Sequence, residues 1–124
     1  MTERQRLGGT GERLAERLLN DRGYRVVERN YRSRWGEIDL IAWSGEVLVF
    51  VEVRLRRGST HGTAADSLVP AKAQRLVRTA QTYLERYGDA IPDWRIDFVA
   101  IDLAASGRVE RLEVFENAVG DPGW

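Results

Sequence analysis

Two carboxylates stand where the chain is otherwise apolar. Glu52 directly follows the run Val47-Leu48-Val49-Phe50-Val51, and Asp39 lies between Ile38 and Leu40. A carboxylate buried without a partner is costly and tends to take up a proton, so we expect these two groups to share a cation. Oxygen ligands favour Mg²⁺ or Mn²⁺ over zinc. Such a metal lowers the pKa of its bound water and stabilises charge on a phosphate, which predicts phosphoryl chemistry.

Glu52 also has a purely structural interpretation. Residues two apart in a strand share a face, so Arg54 lies beside Glu52 in the predicted strand. Glu52 could then pair with Arg54, or with another arginine, at a solvated strand end. The spacing alone favours neither interpretation over the other.

The elements that position these groups follow from periodicity and turn residues. Apolar spacing and capping residues predict a helix over 10–22, starting at Thr10 and stopping at Gly23. A second helix starts at Pro70 and ends before Gly88. Strands are predicted over 24–31, 37–43, 46–55, 95–103 and 109–115, with a loop over 56–68.

The predicted order, α-β-β-β-α-β-β, indicates an α/β fold in which a mixed sheet carries helices on both faces. The run that precedes Glu52 is apolar on both faces, which is typical of a central strand. A tight turn at Ser44-Gly45 would make the second and third strands hairpin partners. This arrangement would bring Asp39 and Glu52 to one end of the sheet.

Composition limits the class of protein. The 124 residues suit one domain over 1–124, and residues 1–7 and 119–124 are expected to be loosely ordered. There is no apolar run long enough for a membrane span, no signal-like start and no cysteine, so a cytoplasmic location is expected. The 19 basic and 19 acidic residues balance, which argues against a protein that merely sequesters nucleic acid but allows a local basic patch.

Several motifs in sequence order resemble the YraN family, a group of uncharacterised bacterial proteins similar to archaeal Holliday-junction resolvases. The resemblance extends over about residues 7–118. It implies the restriction-endonuclease-like PD-(D/E)xK fold and an Mg²⁺- or Mn²⁺-dependent endonuclease-like protein that acts on or binds DNA, branched DNA included. The motifs are Gly11-Glu12, Arg29-Asn30-Tyr31-Arg32, Gly36-Glu37-Ile38-Asp39-Leu40-Ile41, Val49-Phe50-Val51-Glu52-Val53-Arg54, Lys72 and Arg95-Ile96-Asp97-Phe98-Val99.

The resemblance also assigns metal ligands. It implies that Asp39 and Glu52 bind the metal directly, and that Glu12 on the first helix is an additional acidic group that reaches the metal through water. In such sites the carbonyl of Val53 commonly completes the ligand set. Read alone, Glu12 is a favourable acid in the first turn of a helix.

Two features depart from the hallmark pattern of the PD-(D/E)xK fold, although the resemblance implies that YraN relatives also carry arginine in place of the lysine. The proline that usually precedes the first acidic residue is absent, and the usual lysine is replaced by Arg54. A guanidinium can hold a phosphate but keeps its proton, so Arg54 cannot activate water as an amine can. Lys72 is the single lysine among the 19 basic residues. It could supply the missing amine, or it could be a surface lysine.

Other polar residues have weaker assignments. Trp35 could stack on a base or pack against a turn, and Asp97 is expected to have a structural role as a hydrogen-bond or ion-pair partner. A charge cluster is usually a solvated surface, but arginines that flank the predicted site favour contact with phosphates. These arginines are Arg32, Arg34, Arg54, Arg56 and Arg57.

Three functions remain compatible with these patterns. The first is a metal-dependent nuclease in which Asp39, Glu52, Arg54 and Lys72 form the catalytic set. The second is a catalytically inactive nucleic-acid-binding module of the same fold, and the third is a protein-interaction domain. Resolvases of similar fold work as dimers, so a homodimer is conceivable, although no residue pattern marks a dimer face.

Overall fold

A computed structural model describes residues 3–58 and 70–118, with side chains described for 11–58 and 72–118. Most of the predicted loop over 56–68, and the predicted loose end over 119–124, lie outside the described residues. A short 3₁₀ helix, Glu85–Tyr87, follows the second helix. The main elements are α1 (Glu3–Asp21), β1 (Arg25–Ser33), β2 (Gly36–Ser44), β3 (Val47–Arg57), α2 (Pro70–Leu84), β4 (Trp94–Leu103) and β5 (Val109–Phe115).

The five strands form one mixed sheet in the order β1-β2-β3-β4-β5. Strands β3 and β4 are parallel, with α2 between them in the chain, and the other neighbours are antiparallel. Leu48 and Phe50 pack in a cluster with α2, whereas Val49 and Val51 pack in a cluster with α1. The two helices therefore cover opposite faces of β3, and the predicted α/β class with a mixed sheet is confirmed.

Helix α1 begins at Glu3, so the predicted start at Thr10 is wrong. The glycines around Thr10 weaken a helix locally, but α1 lies very close to β3 at this point. A Cβ added to Gly11 would lie 3.2 Å from the Cβ of Leu55. This packing between elements distant in sequence offsets the low helix propensity. The hairpin turn is also one residue later than predicted, at Gly45-Glu46, because Ser44 pairs with Val47.

The sheet opens between β2 and β3. Their pairing ends at Leu40 opposite Val51, whereas β3 continues to pair with β4 as far as Arg57 opposite Leu103. Asp39 is the first residue of β2 beyond the shared pairing. The opening places its side chain beside the edge of β3. No helix in the described part of the chain is long and apolar enough to cross a membrane.

A buried polar network centres on Asp97, whose side chain is fully buried. One carboxylate oxygen accepts hydrogen bonds from Arg95 Nε at 3.0 Å and from the Asn117 amide at 2.9 Å. The other accepts from the Tyr24 hydroxyl at 3.3 Å. Asp97 therefore ties the segment after β5 to the start of β4, and its expected structural role is confirmed.

Replacing Asp97 with asparagine should lower the free energy of unfolding by about 2–4 kcal/mol. Asparagine keeps one acceptor oxygen, but its neutral amide loses the ion pair with Arg95, and its nitrogen replaces the oxygen that accepts from the Tyr24 hydroxyl. Urea unfolding measures the loss, and Asp93→Asn at an exposed position is the matched control. A loss no larger than that of the control would show that the network contributes little to stability.

Candidate metal and nucleic-acid site

Asp39 is fixed at the opening between β2 and β3. Its side chain is only 8% exposed. The Oδ2 atom accepts a hydrogen bond from the Val53 amide at 2.7 Å. Since β2 has already left β3 there, this carboxyl takes the place of a backbone acceptor. Asp39 is thereby held against the edge of β3, next to Glu52.

Asp39 and Glu52 form what we call the carboxylate pair. Glu52 is 6% exposed and accepts a hydrogen bond from the Asp39 side chain. The predicted proximity of the two groups is therefore confirmed. The helix α2 reaches the same point, because Lys72 Nζ lies 2.6 Å from Glu52 Oε1. The Lys72 side chain is 16% exposed, so it is not a solvated surface lysine.

Arg54 occupies a different position relative to Glu52. Its terminal nitrogen NH2 lies 3.8 Å from Glu52 Oε1, a looser contact than that of Lys72. Its Nε is buried and has no hydrogen-bond partner among the residues that the structure describes. Buried donors are rarely left unpaired in native structures, so this guanidinium retains capacity for an anionic ligand. The amine nearest the carboxylate pair is therefore Lys72, while Arg54 presents an unsatisfied donor beside it.

Burial and the charges of neighbouring carboxylates raise both pKa values of the carboxylate pair. Burial first, and then the charge of Glu52, raise the pKa of Asp39 to about 8. Burial raises the pKa of Glu52 to about 7, although Arg54 and the hydrogen bond from Asp39 oppose the rise. The Lys72 ammonium further favours the charged form of Glu52. Without a metal the pair therefore holds a proton at neutral pH.

Two further carboxylates, those of Glu12 and Glu37, lie near the carboxylate pair. Burial and repulsion by Glu37 and Glu52 raise the pKa of Glu12, while a hydrogen bond with Asn30 lowers it. Glu37 also forms an ion pair with Arg32 at 3.1 Å. Asn30 and Glu37 were not predicted as site residues. The signal for Asn30 is conformational, since its φ of 55° is tolerated by Asn within a strand better than by most residues.

The donor set fits a Mg²⁺ or Mn²⁺ ion. Mg²⁺ is commonly bound through one or two carboxylates plus the phosphate of a substrate, which matches the oxygen atoms of Asp39 and Glu52. The proton that the pair shares is one that a divalent cation would replace. Within residues 3–58 and 70–118, no group of three or more His, Cys, Asp or Glu side chains is arranged to hold a metal. Glu12 is thus not gathered with the pair into a three-carboxylate cluster.

The flanking arginines do not form one continuous surface. Arg32 pairs with Glu37 near the carboxylate pair, and Arg34 lies over the Trp35 ring. Arg54 and Arg56 share the face of β3 that carries Glu52. Arg57 points to the opposite face, where its Nε and NH2 donate to the carbonyl of Ala105 at 3.1 and 2.8 Å. Arg57 therefore anchors the β4–β5 turn rather than extending the site.

A buried carboxylate pair with a lysine and an arginine beside it, set in an opening of a mixed α/β sheet, defines a charged site suited to phosphate chemistry. The sequence model of the Uncharacterised protein family UPF0102 matches residues 11–101, which include both carboxylates, Lys72 and Arg54. The match covers most of the chain.

Curated relatives give the same result. The chain is 46% identical over 114 residues to a UPF0102 protein of Symbiobacterium thermophilum, covering 92% of this chain and 96% of the relative. It is 47% identical over 118 residues to a UPF0102 protein of Moorella thermoacetica, covering 95% and 98%. The chain belongs to the UPF0102 family. The YraN-like resemblance is thereby confirmed at the level of the family, while the fold and activity it implies stay predictions.

Proposed function

We propose that this protein is a Mg²⁺-dependent endonuclease-like protein of the restriction-endonuclease-like class, with branched DNA as its substrate. The carboxylate pair carries the proposal. Two hydrogen-bonded, buried carboxylates lie where β2 leaves β3, with Lys72 Nζ 2.6 Å from Glu52 Oε1. The mixed sheet with a helix on each face supports the assignment of the fold class, as does the membership of the family.

Asp39 and Glu52 would hold the metal, with Glu12 supporting it from α1. The bound ion would lower the pKa of a water molecule and offset the charge of the phosphate. A cation would relieve the repulsion by neighbouring carboxylates that contributes to the raised pKa values of Asp39 and Glu52. Burial of the pair also keeps bulk water from screening these charges.

Lys72 and Arg54 would have different roles in cleavage. Lys72 is held by Glu52 and largely removed from solvent, so its ammonium can orient a water or give a proton to a leaving oxygen. Arg54 keeps its charge. Its Nε, which has no partner within residues 3–58 and 70–118, and the adjacent terminal nitrogen can bind a phosphate through two hydrogen bonds. With these roles, arginine in place of the usual lysine at position 54 is compatible with cleavage, since the amine would come from α2.

The rival candidate is a module of the same fold that binds nucleic acid without cutting it. The ion pair between Lys72 and Glu52 favours it, because such a pair can stabilise a buried carboxylate with no metal present. A domain for protein partnership is the third candidate. These three functions differ in what they do to DNA.

A labelled four-way junction beside a matched linear duplex separates them. We expect cutting of the junction in Mg²⁺ or Mn²⁺, none in EDTA, and weaker cutting of the duplex. Binding of the junction without cutting would favour the module, and neither binding nor cutting would favour protein partnership. Paired cuts on opposite strands would indicate that a homodimer acts, whereas single cuts would indicate a monomer.

A further inference from the structure

Trp35 is not part of the hydrophobic core. Of the three tryptophans that the structure describes, Trp43 and Trp94 pack against the cluster under α2, whereas Trp35 belongs to neither main cluster. It lies in the turn between β1 and β2 and is half-buried. A large aromatic side chain at this turn is therefore not explained by packing of the sheet.

The Trp35 ring is bounded by two cations. The guanidinium carbon of Arg34 lies 4.7 Å from the ring centroid, and that of Arg78 on α2 lies 4.5 Å from it. The turn is held in place because the Trp35 amide donates to Ser33 Oγ at 3.1 Å, and Ser33 Oγ donates to Thr79 Oγ1 at 3.4 Å. We call Trp35, Arg34 and Arg78 the Trp35 shelf.

A groove of about 480 Å³ opens along the shelf. Its other walls are chiefly polar. They come from α2, which includes the apolar Val77, and from Glu85 of the 3₁₀ helix that follows. These lining residues are Gln74, Val77, Gln81, Thr82 and Glu85. The groove thus combines an aromatic ring, two guanidiniums that lie over it and side-chain amides that can both donate and accept hydrogen bonds.

This combination matches an unpaired nucleobase attached to its phosphate. Bases stack on indole rings and on guanidinium planes, while arginines neutralise the neighbouring phosphates. The shelf is also close to the carboxylate pair. Lys72 and Arg78 are six residues apart on α2, about 9 Å along the helix axis and about 120° apart around it. A short stretch of an extended single strand spans such a distance.

We infer that the Trp35 shelf binds an unpaired base of a DNA strand whose backbone continues to the carboxylate pair. This inference rests on the proposed function for the position of the strand, and it narrows the substrate class to DNA with unpaired nucleotides beside the phosphate that is cut. Stacking itself requires no metal. The shelf can therefore be tested separately from cleavage.

The test measures binding of fluorescent oligothymidine and of a blunt duplex in EDTA, by anisotropy. Trp35→Ala and Trp35→Leu should weaken single-strand binding about 10- to 100-fold, because each removes a stacking surface. Trp35→Phe should retain most of the affinity. Binding of the blunt duplex should change less than about twofold, since its bases are already stacked. Unfolding midpoints of all variants show whether each is folded.

An oligothymidine with abasic positions completes a double-mutant cycle, in which a change in the protein is combined with a change in the DNA. Loss of bases should weaken binding by wild type but have little further effect on Trp35→Leu, because the two changes remove the same contact. Equal weakening of single strand and duplex, or no difference between Trp35→Leu and Trp35→Phe, would overturn the inference. Neither result depends on cleavage. A protein that never cuts DNA but shows the stacking effect would contradict the proposed nuclease and leave the shelf intact.

Discussion

Asp39→Asn is expected to abolish Mn²⁺ binding and to leave the metal-free protein as stable as wild type or more stable. Asparagine keeps an oxygen that can accept the hydrogen bond from the Val53 amide. It is also neutral, as protonated Asp39 is. Titration calorimetry with Mn²⁺ measures the first effect. Only wild type should then gain thermal stability from added Mn²⁺, because a ligand stabilises the state that binds it.

The pH dependence determines how large the difference in stability between Asp39→Asn and wild type should be. Burial and Glu52 raise the pKa of Asp39 from 3.8 to about 8. Between those values the folded protein retains a proton that the unfolded chain has released, so wild-type stability should fall as pH rises through this window. Asp39→Asn lacks this loss. Its advantage should be close to zero near pH 4 and grow to several kcal/mol near pH 8, as measured by urea unfolding in EDTA.

Two control variants test whether these effects are specific to Asp39. Asp89→Asn changes an exposed carboxylate beyond the far end of α2 and should alter neither metal binding nor the pH profile. Asp97→Asn is the same substitution at a buried site where the charged carboxylate pairs with Arg95, and it should be destabilising. If Asp39→Asn instead loses several kcal/mol at neutral pH, Asp39 is a structural residue. If it still binds Mn²⁺, Asp39 is not a ligand.

The sequence was sufficient where local pattern and burial agree. The run Val47-Leu48-Val49-Phe50-Val51 is apolar at every position because α1 and α2 cover opposite faces of β3, so a central strand could be predicted from it. The start of α1 could not be predicted. Its glycines are helical because Gly11 packs against Leu55, a contact between residues 44 positions apart.

The same distinction applies to the site. Asp39 and Glu52 were identifiable because a carboxylate in an apolar strand needs a partner. Asn30 and Glu37 were not, since their approach to Glu12 depends on how α1 packs against β1 and β2. The separation of Arg57 from Arg56 could be predicted from the sequence, because neighbouring residues of a strand point to opposite faces.

Lys72→Ala is expected to reduce cleavage of the four-way junction at least about 100-fold while DNA binding falls only slightly. The amine lies 2.6 Å from Glu52 and is the only lysine side chain of the protein, so no other can replace it. Loss of one cation should lower the salt slope of binding by about one. Arg75→Ala, one turn along the exposed side of α2, should lower the slope similarly and leave the cutting rate nearly unchanged.

Arg54→Lys distinguishes the two cations of the site. If Lys72 supplies the amine and Arg54 binds phosphate through two donors, Arg54→Lys should weaken cleavage, since lysine lacks the guanidinium geometry. If Arg54 has instead replaced a water-activating lysine at the cost of activity, Arg54→Lys should raise the rate, and Lys72→Ala should then be nearly silent. The rates of junction cleavage are measured in saturating Mg²⁺. Asp39→Asn, which should not cleave, gives the background rate. No cutting by wild type or by Arg54→Lys, with binding intact, would contradict the nuclease proposal and favour a module that only holds DNA.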